Sequence, residues 1–198
     1  LVFPGSNWYP WTDDPYGVDG WTQAGLPGLP DDYVDDPQGI WVAKKARGDD
    51  FVCNEGSCYE TDDGVLHMML RSEEDQLGVS ESHDNGVTYS APILTEFTDC
   101  HARFQFGRLS DGRFFATSTP EPDSLRTPLI VATSNDGVVF DRHYIVGNEP
   151  DQPPRTVGLQ KFGRYGYPSY HIMGDTMFII YSIAKEDIAV MRVPLDAL

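Results

Sequence analysis

Turn signals recur along most of this chain, and they limit what it can fold into more than any other feature. Asp-Asp-Gly at 62–64, Asp-Asn-Gly at 84–86, Asp-Gly at 111–112, Asn-Asp-Gly at 135–137 and Gly-Asp at 174–175 separate short runs rich in Val, Ile, Phe, Tyr and Thr. Gly, Asn and Asp accept the positive φ of tight hairpins, and β-branched and aromatic residues suit a pleated sheet. The spacing predicts strands over 57–61, 65–71, 77–82, 103–109, 113–118, 129–134, 139–146, 168–173, 177–183 and 188–193. The class is all-β and meander-like, and long helices are not expected.

Residues 1–50 have a different texture. Trp8, Tyr9, Trp11, Tyr16, Trp21 and Tyr33 alternate with Asp13-Asp14, Asp31-Asp32, Asp35-Asp36 and several Pro and Gly. This reads as a loop-rich aromatic and acidic segment packing on the sheet domain of 51–198. Its aromatics are either anchors or sugar-stacking platforms. Its Asp pairs form no D-x-D-x-D-G calcium loop and read as a solvated surface.

Of 198 residues, 40% are hydrophobic, enough for a packed core, while the net charge of −17 argues against a nucleic-acid partner. No apolar stretch reaches the roughly 20 residues of a membrane span. Cys53, Cys58 and Cys100 make an odd count without a C-x-x-C pair, which speaks against structural zinc and leaves a thiol unpaired. No metal or cofactor is implied. The chain starts at Leu1 without an initiator Met or signal-like segment, as a mature product or a fragment does. Localisation stays open, with secreted and periplasmic settings among the readings.

A repeat sharpens the picture. Ser82-His-Asp84-Asn-Gly86-Val-Thr-Tyr89 returns 52 residues later, shortened by one, as Ser134-Asn-Asp136-Gly137-Val-Val-Phe140. That interval is about one propeller blade, roughly 40 to 50 residues. The first copy fits Ser-x-Asp-x-Gly-x-x-aromatic, in which Asp ties its own turn, Gly takes positive φ and the aromatic plugs the blade. The segments at 82–89 and 134–140 thus resemble the Asp-boxes of sialidase-like propellers.

From Glu55 onward the chain resembles the later half of a sialidase-type (BNR-repeat) glycoside hydrolase. Glu55-Gly-Ser-Cys leads through a hairpin to Met-Met-Leu-Arg71-Ser; Arg126-Thr-Pro-Leu-Ile-Val-Ala-Thr-Ser134 runs into the second box; and Tyr167-Pro-Ser-Tyr-His-Ile opens the last unit. Glu, Arg, Arg, Tyr in that order is the pattern that carries the resemblance. It implies a propeller of which about three blades are present, a partial six-bladed ring that a missing half or a second chain completes. It also implies an exo-glycosidase for a carboxylate-bearing sugar, with Arg71 and Arg126 clamping the carboxylate. Tyr167 would be the nucleophile and Glu55 its base, since a phenol of pKa about 10 needs a base and a neutral nucleophile suits an anionic substrate. Both arginines are read as lying inside apolar strands. Tyr165, two residues before Tyr167 on an extended strand, is an alternative nucleophile, although Pro168 biases Tyr167 toward extended geometry. His101 and His171 read as structural. The sequence departs from the family pattern in offering no match to its first Arg or its acid/base Asp.

Two other functions fit the same residues. A propeller lyase on uronate-containing glycans would use Tyr or His as proton abstractor. A non-catalytic fragment would bind glycans or another chain.

Overall fold

Hairpins form at these turn signals in the computed structural model, which describes residues 8–25, 53–72, 74–122, 125–159 and 161–198. Tyr33, Asp31, Asp32, Asp35 and Asp36 lie outside the described residues. A first two-stranded ladder pairs β1 (Trp8–Trp11) with β2 (Thr22–Gly25). Three meander sheets follow. The first contains β3 (Cys53–Glu60), β4 (Leu66–Ser72), β5 (Gln76–Ser82) and β6 (Ile93–Thr98). The second contains β7 (Gln105–Arg108), β8 (Phe114–Ser118), β9 (Leu129–Ser134) and β10 (Arg142–Gly147). The third contains β11 (Gly166–Met173), β12 (Thr176–Ile183) and β13 (Asp187–Pro194). Every neighbouring pair is antiparallel and sequential, and β7 packs against both β3 and β11. Among the described residues, these three sheets are successive blades of a partial propeller. Among the described residues, no helix is long and apolar enough to cross a membrane.

The ten expected strands are all present. Three others, β1, β2 and β6, stand where loops were expected. β6 follows Pro92 without an Asp-Gly turn, and its exposed, irregular burial gives no clean alternation. β10 begins at Arg142 rather than at 139 because the Asp136 carboxylate accepts hydrogen bonds from the Val138 and Val139 N–H groups, holding them in the turn.

The two repeated segments tie themselves as their composition demands. Asp84 accepts from the Thr88 N–H at 2.8 Å and hydroxyl at 2.6 Å, while Ser82 accepts from Gly86 N–H. Their aromatics enter different clusters. Tyr89 packs edge-on to Tyr9 at 4.7 Å, and the Tyr9 hydroxyl donates to the Val87 carbonyl, so the first segment is fastened to the 82–89 turn. Phe140 joins Tyr59, Phe97 and Phe106 between the first two blades. A further core links blades two and three through Phe115, Leu129, Tyr165, Met177 and Ile179.

The contact between the first two blades includes one buried polar bond, from the Tyr59 hydroxyl to the Gly137 carbonyl at 2.6 Å. Gly137 has φ +79, and a Cβ there would lie 2.7 Å from Thr61 Cγ2 and 3.2 Å from the Phe114 ring. Gly137→Ala therefore combines a left-handed backbone penalty of about 1–2 kcal/mol with overpacking of about 1–3 kcal/mol. A loss of about 2–5 kcal/mol in urea unfolding is expected, and a neutral substitution would show that the two blades are not held in this register.

Candidate active site

Strand order decides which loops can meet. In an uninterrupted antiparallel meander the start of a first strand, the end of the second and the start of the third share one edge of the sheet. Glu55 lies near the start of β3, Arg71 near the end of β4, Arg126 just before β9, and Tyr167 near the start of β11. All four thus belong to one face of the propeller. The turns at 82–89 and 134–140 follow third strands and belong to the opposite face.

The side chains meet. Arg71 Nη1 donates to Glu55 Oε2 at 2.7 Å, and the Tyr167 phenol is near enough to favour the Arg71 charge. The Arg126 guanidinium lies 5.4 Å from the Tyr167 ring centroid and 4.7 Å from that of Phe162. Lys185, between β12 and β13, places Nζ 5.6 Å from the same Tyr167 ring.

These positions share a backbone peculiarity. Glu55 has φ 34, Arg126 and Tyr167 each φ 56, and Lys185 φ 54, the left-handed region that costs a side-chain-bearing residue about 1–2 kcal/mol. At Glu55 the β3–β4 register shifts between Asn54 and Gly56, and at Tyr167 the β11–β12 register shifts between Gly166 and Ser169. Both are irregularities of the bulge kind that re-aim a side chain. Ala184 and Lys185 form a two-residue turn, both at positive φ, closed by Glu186 N–H to the Ile183 carbonyl.

Three sequence readings are corrected here. Arg126 is not inside a strand: it precedes β9, and its carbonyl accepts from the Tyr165 N–H. Tyr167 is not extended despite Pro168, because the irregularity holds it at positive φ. Tyr165 does not share its surroundings: it is fully buried in the core against Tyr181, with its hydroxyl accepting from Glu149 N–H. Lys185 was not anticipated. A glycine-free Ala-Lys turn carries no sequence signal for such a role.

Electrostatics separate the two arginines. Burial opposes the Arg71 charge, but hydrogen bonding and charge from Glu55, assisted by Tyr167, outweigh it and raise its pKa. Arg126 is only 2% exposed, and burial pushes its pKa down. Its Nε and Nη1 have no hydrogen-bond partner among the described residues. Glycines make room for it: a Cβ on Gly163 would sit 2.6 Å from Arg126 Cδ, and one on Gly166 3.2 Å from Nη1. Burial, with Arg126 next, also lowers the Lys185 pKa. Asp99, just past β6, is 1% exposed; burial raises its carboxyl to about 6 against the pull of Arg71 and His101.

Residues 26–180 match the family described as BNR repeat-like domain. The chain belongs to this family. Its fold is shared by the NanB sialidase from Streptococcus pneumoniae (TM-score 0.63, 13% identity, 100% of this chain and 29% of that one). It is likewise similar to the intramolecular trans-sialidase from Ruminococcus gnavus (TM-score 0.62, 14% identity, 96% and 38%). A third structure, titled sialidase, is 25% identical over 71% of this chain and 13% of that one, with a TM-score of 0.54. This BNR repeat-like chain therefore spans less than half the length of these proteins, within a sialidase-like superfamily. A search of curated proteins finds no match.

Asp99 gives the site's surroundings a pH signature. Its folded pKa lies above the unfolded value of about 4, so its stabilising effect is complete below pH 4 and lost as pH rises through 6. The isosteric Asp99→Asn variant lacks this dependence. The stability of the native chain relative to the variant is expected to fall by about 2–3 kcal/mol between pH 4 and pH 7. Urea unfolding at the two pH values checks it, and parallel profiles would refute a buried titrating carboxyl.

Proposed function

We propose that this chain is the later portion of a sialidase-type exo-glycosidase acting on a sugar that carries a carboxylate. The observation that carries the reading is Arg126: a guanidinium 2% exposed, with Nε and Nη1 unpaired, beside Arg71 and under Tyr167. An unpaired buried ion is costly, and an anion relieves that cost. Glu55 pairs with Arg71 and Asp99 attracts it, yet Arg126 and Lys185 together with Arg71 leave the cluster positive within a chain of net charge −17. That local reversal suits a small anion held at short range, where charge-assisted hydrogen bonds act.

In this reading Arg71 and Arg126 hold the substrate carboxylate, and Tyr167 attacks the anomeric carbon as the glycosidic C–O bond breaks and the departing oxygen takes a proton from the general acid. Glu55 takes the phenolic proton. The Arg71–Glu55 hydrogen bond, with the Tyr167 phenol acting electrostatically on the same guanidinium, supports the pairing of base and nucleophile around one group. The segments 82–89 and 134–140 are read as Asp-boxes that brace the opposite face. The general acid and the remaining blades come from the rest of a longer chain or from a partner chain.

The test is turnover of an aryl sialoside by the full chain, with its assembly state followed by sedimentation. Glu55→Gln is expected to lower kcat about 10²–10⁴-fold, the usual range for a general base. Tyr167→Phe should abolish the covalent intermediate, and Arg126→Met should raise KM. An unsaturated product absorbing in the near ultraviolet would assign a lyase instead. An assembled ring that binds glycans without turnover would make the protein a recognition module.

A further inference from the structure

A cavity of about 630 Å³ lies between the first two blades, and Tyr167 is not among its lining residues. Met69, Val79 and Ile130 supply apolar lining, and Phe97 and Phe140 meet edge to face at 5.8 Å beside it. Glu81, Glu96 and Glu121 line it too, with no Lys or Arg among the described lining residues. Of the two histidines in the lining, His67 has Nδ1 3.3 Å from Glu81, and burial lowers its pKa although Glu81 pulls the other way. Burial thus works against a charged partner for the Glu81 carboxylate at His67. His143, the other histidine of the lining, donates from Nε2 to the Phe140 carbonyl at 2.9 Å.

The chemistry narrows the occupant. Anions face three carboxylates at short range. A pyranose needs a free aromatic face, yet the Tyr59 ring is stacked between His67 at 5.1 Å and Phe106 at 5.3 Å. An ammonium ion with an aryl or alkyl body meets both halves of the lining, its body against Met69, Val79 and the phenylalanines and its charge beside the glutamates. We infer that this cavity between the blades is a binding site for a small amphiphilic organic ammonium ion. The inference does not depend on the function proposed for Tyr167.

The probe is benzyltrimethylammonium, titrated into the full chain with methyl-labelled methionine and followed by NMR, with benzyl alcohol and phenylacetate as neutral and anionic controls. Met69→Leu assigns the Met69 signal. The cation should shift that signal saturably, more strongly than benzyl alcohol, and phenylacetate should leave it in place. Glu96→Gln/Glu121→Gln alters two exposed side chains and so leaves the fold intact. It should weaken the cation roughly fivefold, the size expected for two solvent-facing charge contacts, and leave benzyl alcohol unchanged. Equal affinity for cation and neutral analogue, an unmoved Met69 signal, or a double variant with undiminished affinity for the cation would each overturn the inference.

Discussion

An antiparallel meander has only two edges, and every connection must fall on one or the other. That constraint organises this protein. Connections after first and third strands collect on one face, where the Asp-Gly turns are short and self-tied. Connections after second strands, together with the entries to first strands, collect on the opposite face, and there the chain places Glu55, Arg71, Arg126, Tyr167 and Lys185. Five residues spread over most of the sequence become neighbours because strand parity sends them to the same side.

Parity alone would leave those side chains alternating in and out of the sheet. The irregularities at Glu55 and Tyr167 break the alternation at the edge where the blades converge. Backbone held at positive φ by residues with side chains persists only where the surroundings over-determine it. Here the surroundings are specific: Gly163 and Gly166 yield space to Arg126, and Phe162 and Tyr167 cover it. The result is a group of cations, one neutralised by Glu55 and one buried without full hydrogen bonding. Such a cluster serves recognition better than stability.

Much of the fold was legible because hairpins announce themselves. Positive-φ turns recruit Gly and Asx residues, and the ten strands expected from those turns and from the β-rich runs beside them are present. β6 escaped because it enters through Pro92 and lies exposed at an outer edge, and β1 and β2 escaped because aromatic residues among prolines look like loop. At the site, the order of Glu55, Arg71, Arg126 and Tyr167 was legible, but their local geometry was not. An inserted residue at a bulge leaves no periodic trace, so Tyr165 stood as an alternative to Tyr167 until the register shift separated a core ring from an edge ring. Asp99 was invisible for another reason: a lone carboxylate beside Cys100 says nothing about being 1% exposed.

The Ala184-Lys185 turn closes a tight hairpin with two residues that both resist the conformation it needs. Asn-Gly would relax it at once, so a search for greater thermal robustness would be drawn to this spot. Such a change would delete the ammonium group above Tyr167 along with the backbone tension. Robustness and electrostatics pull this hairpin in opposite directions, which makes its unfavourable sequence informative about what the turn is for.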